Sequence, residues 1–352
     1  MKKLILIILF IPLFSMPISY NKTSDFENRR LFDFDNNKNF SGFNWGNIST
    51  FFNDHFPFRG PLIKVYGFIN YYLGHSIHPN LFIGKDGYLF LYKQNQITEK
   101  QRGILNLSQD DINFIKLSIA SIMNWAQNNN VKLFFIPAPN QQTIHSDKLP
   151  IWHTKLSTQD RYNVFEKIFY DLGYQENFIN LREILKSNNT DKTPTYFKLE
   201  SHWTNYGKMI AANFIHNKLN INNNNKYEFN YEEYSFKEHL MTEQITNVSI
   251  QSLEYNETIL FKDDYESYYL RDNLLARNNK RLLIWGDSFT LDPFSYFFIN
   301  NFEVVSRISA NHNILDKKVI KSNNFNYIFI IFSERNFFER DLFGPLASYL
   351  SD

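Results

Sequence analysis

Arg281-Leu282-Leu283-Ile284-Trp285-Gly286-Asp287-Ser288-Phe289-Thr290 is an apolar run that stops abruptly at a glycine. A run of this length bounded by glycine predicts a buried strand. Gly286 can supply the backbone freedom needed to leave a sheet sharply. Ser288 then stands at the carboxyl end of a strand, where open α/β sheets place their ligands. A serine on a strand-to-helix turn is the arrangement of a hydrolase nucleophile. A serine capping a helix fits the same residues.

The flanking sequence has the rhythm of an α/β domain. Ser108 with Asp111 reads as a capping box, followed by Ile112, Ile115, Ile119 and Ile122 at helical spacing. Val131 to Ile136 is a predicted strand ending at Pro137. Val164, Phe165, Ile168, Phe169 and Leu172 predict a second helix, stopped by Gly173. Thr204 caps a third, with Ile210, Ala211, Phe214, Ile215 and Leu219 on its inner face. Leu282–Trp285, Glu303–Ser306 and Tyr327–Phe332 are the remaining predicted strands. Strands alternating with helices indicate a mostly parallel sheet covered on both faces, a three-layer α/β/α domain over residues 96–345. Residues 220–275 break the rhythm with an Asn-rich excursion. Residues 21–95 form a polar and aromatic lead-in expected to pack on this domain. Within it, Leu62, Val65, Phe68, Ile69 and Tyr72 recur at helical spacing, and Leu81 to Phe90 reads as two short strands around a Lys-Asp-Gly turn.

Bulk properties narrow the function. The chain has 352 residues, 43% hydrophobic and 18% aromatic, enough for a sizeable core. Its 37 basic and 36 acidic residues give a net charge of +1, which provides no field for nucleic acid. With no cysteine, disulfides, thiolate metal sites and cysteine nucleophiles are excluded. Met1-Lys2-Lys3 followed by the apolar run Leu4 to Phe14 has the form of a secretory signal, too short for a comfortable membrane span. No clean cleavage site follows, so residues 1–20 are expected to act as a signal peptide or an uncleaved N-terminal anchor. Either implies export.

A serine nucleophile needs a base, usually histidine, and a group that orients the base. Among nine histidines, His202 stands apart. It lies in Tyr196-Phe197-Lys198-Leu199-Glu200-Ser201-His202-Trp203-Thr204-Asn205-Tyr206-Gly207, with a carboxylate two positions before it. In an extended segment residues i and i+2 share a side. Glu200 could then accept from one imidazole nitrogen while the other faces Ser288. Trp203 could wall the site against water. A surface Glu–His pair above a core Trp fits the same spacing.

Glu200-Ser201-His202-Trp203 followed by Thr-x-x-Gly resembles the Asp-x-His-Trp signature of the AlgX/AlgJ group of polysaccharide O-acetyltransferases and the related DHHW proteins. Five further blocks resemble that family in its order. They are Glu27-Asn28-Arg29; Asn53 to Arg59; Ile83 to Phe90; Ile136-Pro137-Ala138-Pro139 with Leu149-Pro150; and Gly286-Asp287-Ser288-Phe289, followed by a late Glu334-Arg335 pair. The resemblance implies an SGNH hydrolase-like, flavodoxin-like fold with permuted motif order. It implies Ser288 as nucleophile, His202 as general base and Glu200 as orienting acid. Glu200 departs from the family's Asp, and Asp191 or Asp287 are alternative orienting acids. Asn140 is the candidate oxyanion donor beside the Ser288 backbone N–H. Arg335 is a candidate for an acidic sugar, or else a salt-bridge partner of Glu334 or Glu339.

The implied protein is an exported enzyme that acetylates hydroxyls of an extracellular polysaccharide, with a membrane-bound O-acyltransferase as donor partner. The chemistry needs no metal or bound cofactor. The same triad would also serve a carbohydrate esterase. Glu200 in place of Asp leaves an inactive glycan-binding or assembly protein as a third reading.

Overall fold

The computed structural model describes residues 23–24, 29–30, 45–55, 59–76, 78–153, 155–157, 160–221, 279–291, 294–309 and 324–351. The N-terminal apolar run and nearly all of the 220–275 excursion lie outside these residues.

Two lead-in helices, α1 (Trp45–His55) and α2 (Arg59–Tyr72), precede an antiparallel hairpin of β1 (Leu81–Ile83) and β2 (Leu89–Leu91). The central sheet has four strands: β3 (Lys132–Phe135), β4 (Arg281–Gly286), β5 (Val304–Ser309) and β6 (Tyr327–Ile331). Their order is β3-β6-β4-β5 and every pairing is parallel. The four strands are those expected from the sequence.

Because both faces are covered, the strands read as continuous apolar runs whose side chains alternate between two cores. Leu133, Phe135, Leu283, Trp285, Ile328 and Ile330 point to one side. There they meet α3 (Gln109–Asn128), α4 (Arg161–Asp171) and α6 (Arg340–Ser351). Phe134, Leu282, Ile284, Phe329 and Ile331 point to the other. They pack under α5 (Asn205–Lys218) and the 3-10 segment Phe294–Asn301. Two of the three caps are those the sequence announces, at Ser108 and Thr204, and the structure adds the one at Asp160. Ser108 and Asp111 close a reciprocal box on α3, Asp160 caps α4, and the Thr204 hydroxyl accepts from Gly207 N–H on α5.

The hairpin packs on the main domain. Leu89 N–H donates to Lys198 O at 3.0 Å, and Leu81, Leu89 and Leu199 form a small shared core. The apolar stripe of α2 does not follow it inward. Leu62, Val65, Tyr66, Ile69 and Tyr72 are all exposed, so the helical spacing read from the sequence is present but faces outward.

Two buried histidines set an acid limit on this fold. The His145 ring lies 4.7 Å from Tyr88, and His216 lies 4.7 Å from Phe298. Desolvation holds both imidazoles down to about 4, against about 6.5 in an unfolded chain. Between those values the unfolded chain binds protons that the folded chain does not. Their stabilisation is therefore complete above the unfolded value and lost as pH falls through the folded one. Each histidine should contribute roughly 2 kcal/mol of lost stability between about pH 7 and about pH 5. Burial raises the Glu334 carboxyl, which works in the opposite sense at the acid end. Urea unfolding at both pH values, with and without His216→Leu, isolates the effect. The variant should show a pH dependence weaker by about one histidine's share, roughly 2 kcal/mol; an unchanged slope would refute the assignment.

Candidate active site

Ser288 follows β4 at the carboxyl edge of the sheet and opens the 3-10 turn Ser288–Thr290. Gly286 is required here for space, not for an unusual backbone angle. A Cβ on it would sit 1.8 Å from the Ile331 carbonyl oxygen of β6 and 2.6 Å from the Thr290 methyl. The strand can therefore hold the turn close to its neighbour only with glycine at this position.

Asp287 fixes the turn. Its Oδ1 accepts from Phe289 N–H at 3.1 Å. Its Oδ2 accepts from Ser333 N–H and Ser333 Oγ–H, both at 2.8 Å, and from Asn336 Nδ2 at 3.0 Å. A buried carboxylate with four donors is a well-satisfied bracket between the loops after β4 and β6. It does not orient the histidine and lies beneath the turn. Ser333 and Asn336, its partners, escaped sequence reasoning. Their only sequence signal is a polar Ser-Glu-Arg-Asn run directly after a strand in a parallel sheet.

His202 comes from a tight loop between two layers. Tyr196 and Trp203 form an antiparallel bridge, Phe197 N–H donates to His202 O at 3.2 Å, and Thr204 N–H donates to Thr195 O at 2.9 Å. Gly207 lets α5 begin against this loop, since a Cβ there would lie 2.1 Å from Thr195 O. The loop is anchored from below. Gln141 Nε2 donates to Phe197 O at 2.8 Å, and Tyr196 Oη donates to Pro139 O.

Residues 200–202 form a bend rather than the extended segment expected. The Glu200 carboxylate curls back onto His202. Oε1 pairs with His202 Nδ1, and Oε2 accepts from the His202 backbone N–H at 3.3 Å. The extra methylene relative to Asp is absorbed by this bend. His202 Nε2 lies 2.7 Å from Ser288 Oγ. A carboxylate only accepts, so Nδ1 carries the proton and Nε2 is free to accept from the serine hydroxyl. Glu200, His202 and Ser288 thus form one hydrogen-bonded chain across loops more than eighty residues apart. Asp191 has no part in it.

Trp203 is only 1% exposed, so it does not form a wall facing a ligand. Its Nε1 donates to Phe289 O at 3.0 Å, and its ring stacks on Phe294 at 5.2 Å. It is a strut joining the histidine loop to the serine turn. Phe289 completes the contact, with its ring 4.8 Å from the His202 ring.

Asn140 stands just before the short helix Gln141–Ile144 without a side-chain capping bond, and its backbone N–H donates to Glu334 Oε2 at 2.8 Å. Its side-chain oxygen is buried without a partner, and no hydrogen bond joins it to Ser288. Arg335 makes neither expected salt bridge. Glu334 is engaged with Asn140 N–H and Thr143 Oγ, and Glu339 with Lys100 and Arg161. Arg335 is 6% exposed, and its guanidinium sits 5.5 Å from the Phe289 ring centre and keeps Nε and Nη1 without partners. Burial lowers its affinity for its proton, while Asp287 and Glu200 favour its charge. An under-paired buried cation next to the nucleophile turn is costly unless an anion completes it. Among the described residues no group of His, Asp or Glu could hold a metal ion.

A parallel α/β sheet with a Glu–His–Ser chain at its carboxyl edge defines a serine acyltransferase or esterase type of domain. The sequence model of the family described as "SGNH hydrolase-like domain, acetyltransferase AlgX" matches residues 81–304, more than half of the chain, and the protein belongs to that family. Bacillus cereus PatB1 shares the fold at 17% identity with a TM-score of 0.52, covering 74% of this chain and 98% of its own. The O-acetyltransferase domain of Pseudomonas putida AlgJ has 11% identity and a TM-score of 0.49, covering 76% of this chain and 99% of its own. A DHHW family protein from Eubacterium siraeum has 14% identity and a TM-score of 0.49, with coverage of 78% and 96%. No curated protein sequence matches the chain. Membership supports an acyltransferase or esterase kind of activity.

Proposed function

We propose that this protein is an exported O-acetyltransferase that carries an acetyl group on Ser288 to hydroxyls of an extracellular or cell-surface polysaccharide. The observation that carries the proposal is the single chain of hydrogen bonds from Glu200 through His202 to Ser288. In the first step Ser288 Oγ attacks the acetyl carbonyl carbon and its proton passes to His202 Nε2. The tetrahedral intermediate collapses, the bond to the leaving group breaks, and Nε2 returns the proton to that group. In the second step a sugar hydroxyl gives its proton to Nε2 and attacks the acyl carbon. Collapse breaks the Ser288 ester, and Oγ takes the proton back.

Glu200 holds the imidazole in the tautomer this requires and stabilises the imidazolium that forms. The Ser288 backbone N–H, with Asn140 as the further candidate, would bind the oxyanion. The under-paired Arg335 suits the negative charge of the intermediate or of an acidic acceptor. The donor would be a membrane-bound O-acyltransferase. The expected signal or anchor at residues 1–20 is the reason for placing the protein outside the cytoplasm.

One observation favours hydrolysis as a second reading. The His202 side chain is 30% exposed, so water can reach the base. The purified chain, given a chromogenic acetyl ester with and without an oligosaccharide, separates the readings. Acetylated oligosaccharide is the expected product. Free acetate alone would make the protein an esterase, and no turnover would leave it a glycan-binding or assembly protein.

A further inference from the structure

The outward face of α2 has no role in the chemistry above. Its Leu62, Val65, Tyr66, Phe68, Ile69 and Tyr72, together with Leu73 just after it, are between 47% and 71% exposed. At 3.6 residues per turn all seven fall within an arc of about 160°. An exposed apolar stripe of this length on one helix marks an interaction surface. The opposite side of α2 is spoken for. Gly67 is buried, and the Tyr71 hydroxyl donates to Gly87 O at 2.9 Å, which pins the helix to the hairpin.

We propose that this face of α2 lies on an anionic lipid surface, with its apolar arc dipped into the headgroup boundary. The charge pattern selects that occupant over a soluble protein. The helix carries Arg59 and Lys64 and no acidic residue. By the same helical geometry those two cations border the apolar arc on either side, about 20–40° beyond its edges. An apolar face with two tyrosines and flanking cations is the composition of helices that lie in the membrane interface. No helix among the described residues is long and apolar enough to cross a membrane, so α2 would lie along the surface. The N-terminal apolar run, Leu4 to Phe14, ends some forty-five residues before α2, and would supply the second attachment that stable anchoring needs. The proposal is independent of the chemistry at Ser288.

The absence of cysteine allows a direct test on the full chain. An environment-sensitive fluorophore is attached to Val65→Cys or Ile69→Cys, with Tyr170→Cys on α4 as control. Vesicles contain equal parts phosphatidylcholine and phosphatidylglycerol and a nitroxide-bearing lipid. A blue shift and nitroxide quenching are expected at Val65→Cys and Ile69→Cys and not at Tyr170→Cys, with weaker quenching on phosphatidylcholine alone. Introducing Leu62→Asn with Tyr66→Asn should abolish the quenching while turnover of a soluble acetyl ester is retained. Three results would overturn the proposal. One is a label that stays in water on vesicle-bound protein. Another is equal quenching on neutral and anionic vesicles. The third is a concentration-dependent blue shift without vesicles, which would mean that a second copy covers the face.

Discussion

Replacing Ser288 by alanine is expected to lower turnover of an acetyl ester by roughly 10⁴–10⁶-fold. The size of the effect follows from what the hydroxyl does. In the wild type Oγ is the only nucleophile in contact with His202 Nε2 among the described residues. Alanine leaves water as the sole attacking group and removes the covalent intermediate. The fold should be unaffected. The turn is held by Asp287 and by Thr290 N–H donating to Asp287 O at 3.0 Å, and the Ser288 hydroxyl has no part in either contact. Two measurements check this. Steady-state rates should collapse with an unchanged unfolding midpoint. Mass spectrometry after brief mixing with an acetyl ester should find a protein one acetyl group heavier in wild type and not in Ser288→Ala. Turnover within about tenfold of wild type would remove Ser288 from the mechanism; a residual near that seen on losing one triad member elsewhere, roughly 10³–10⁴ above water, would not.

The second large effect concerns Glu200. Glu200→Gln keeps the shape but removes the charge and offers an amide N–H₂ that can favour the wrong imidazole tautomer. A loss of about 10⁴ in kcat is expected, with KM little changed, because Glu200 acts through His202 and touches no reacting atom. Glu200→Asp is the more discriminating change. The family signature has Asp at this position, but here both carboxylate oxygens reach His202 only because the longer side chain curls through a bend. A shorter arm gives up one of the two contacts and displaces the ring by up to about 1 Å, which should cost about 10²-fold. If Glu200→Asp were fully active and Glu200→Gln were too, the orienting role would belong to another group. If all three forms were inactive, the reading as a glycan-binding or assembly protein would stand.

Much of this site was legible in the sequence. The apolar run before Gly286 reads as a strand, and the two-residue step from Glu200 to His202 put acid and base within reach of each other. Thr204 announced the helix behind them. These are local signals, carried by period, capping and turn chemistry. Asp287 stayed open as an alternative orienting acid because nothing near it in the chain shows which groups it meets. Its four donors arrive from Phe289, Ser333 and Asn336, and two of those residues join it only when β6 pairs with β4. Trp203 misled for a similar reason. Its indole is next to the base in sequence, yet its partners Phe289 and Phe294 lie far along the chain and draw it into the core.

The sequence by itself determined the strands and helices and placed Glu200 two positions before His202, because each of these depends on residues close together in the chain, whereas the contact of His202 with Ser288, 86 residues further on, and the choice of Glu200 over Asp191 and Asp287 were decided by the tertiary structure. The tertiary structure decided their surroundings. It decided between the two readings of Arg335 as far as its carboxylate partners go, since Glu334 and Glu339 are taken by other donors. It required Gly286 for the approach of β6. It turned the apolar stripe of α2 outward, although the same spacing in α3 faces the core. Periodicity fixes that a helix has an apolar side. Only the packing of neighbouring elements decides what that side meets.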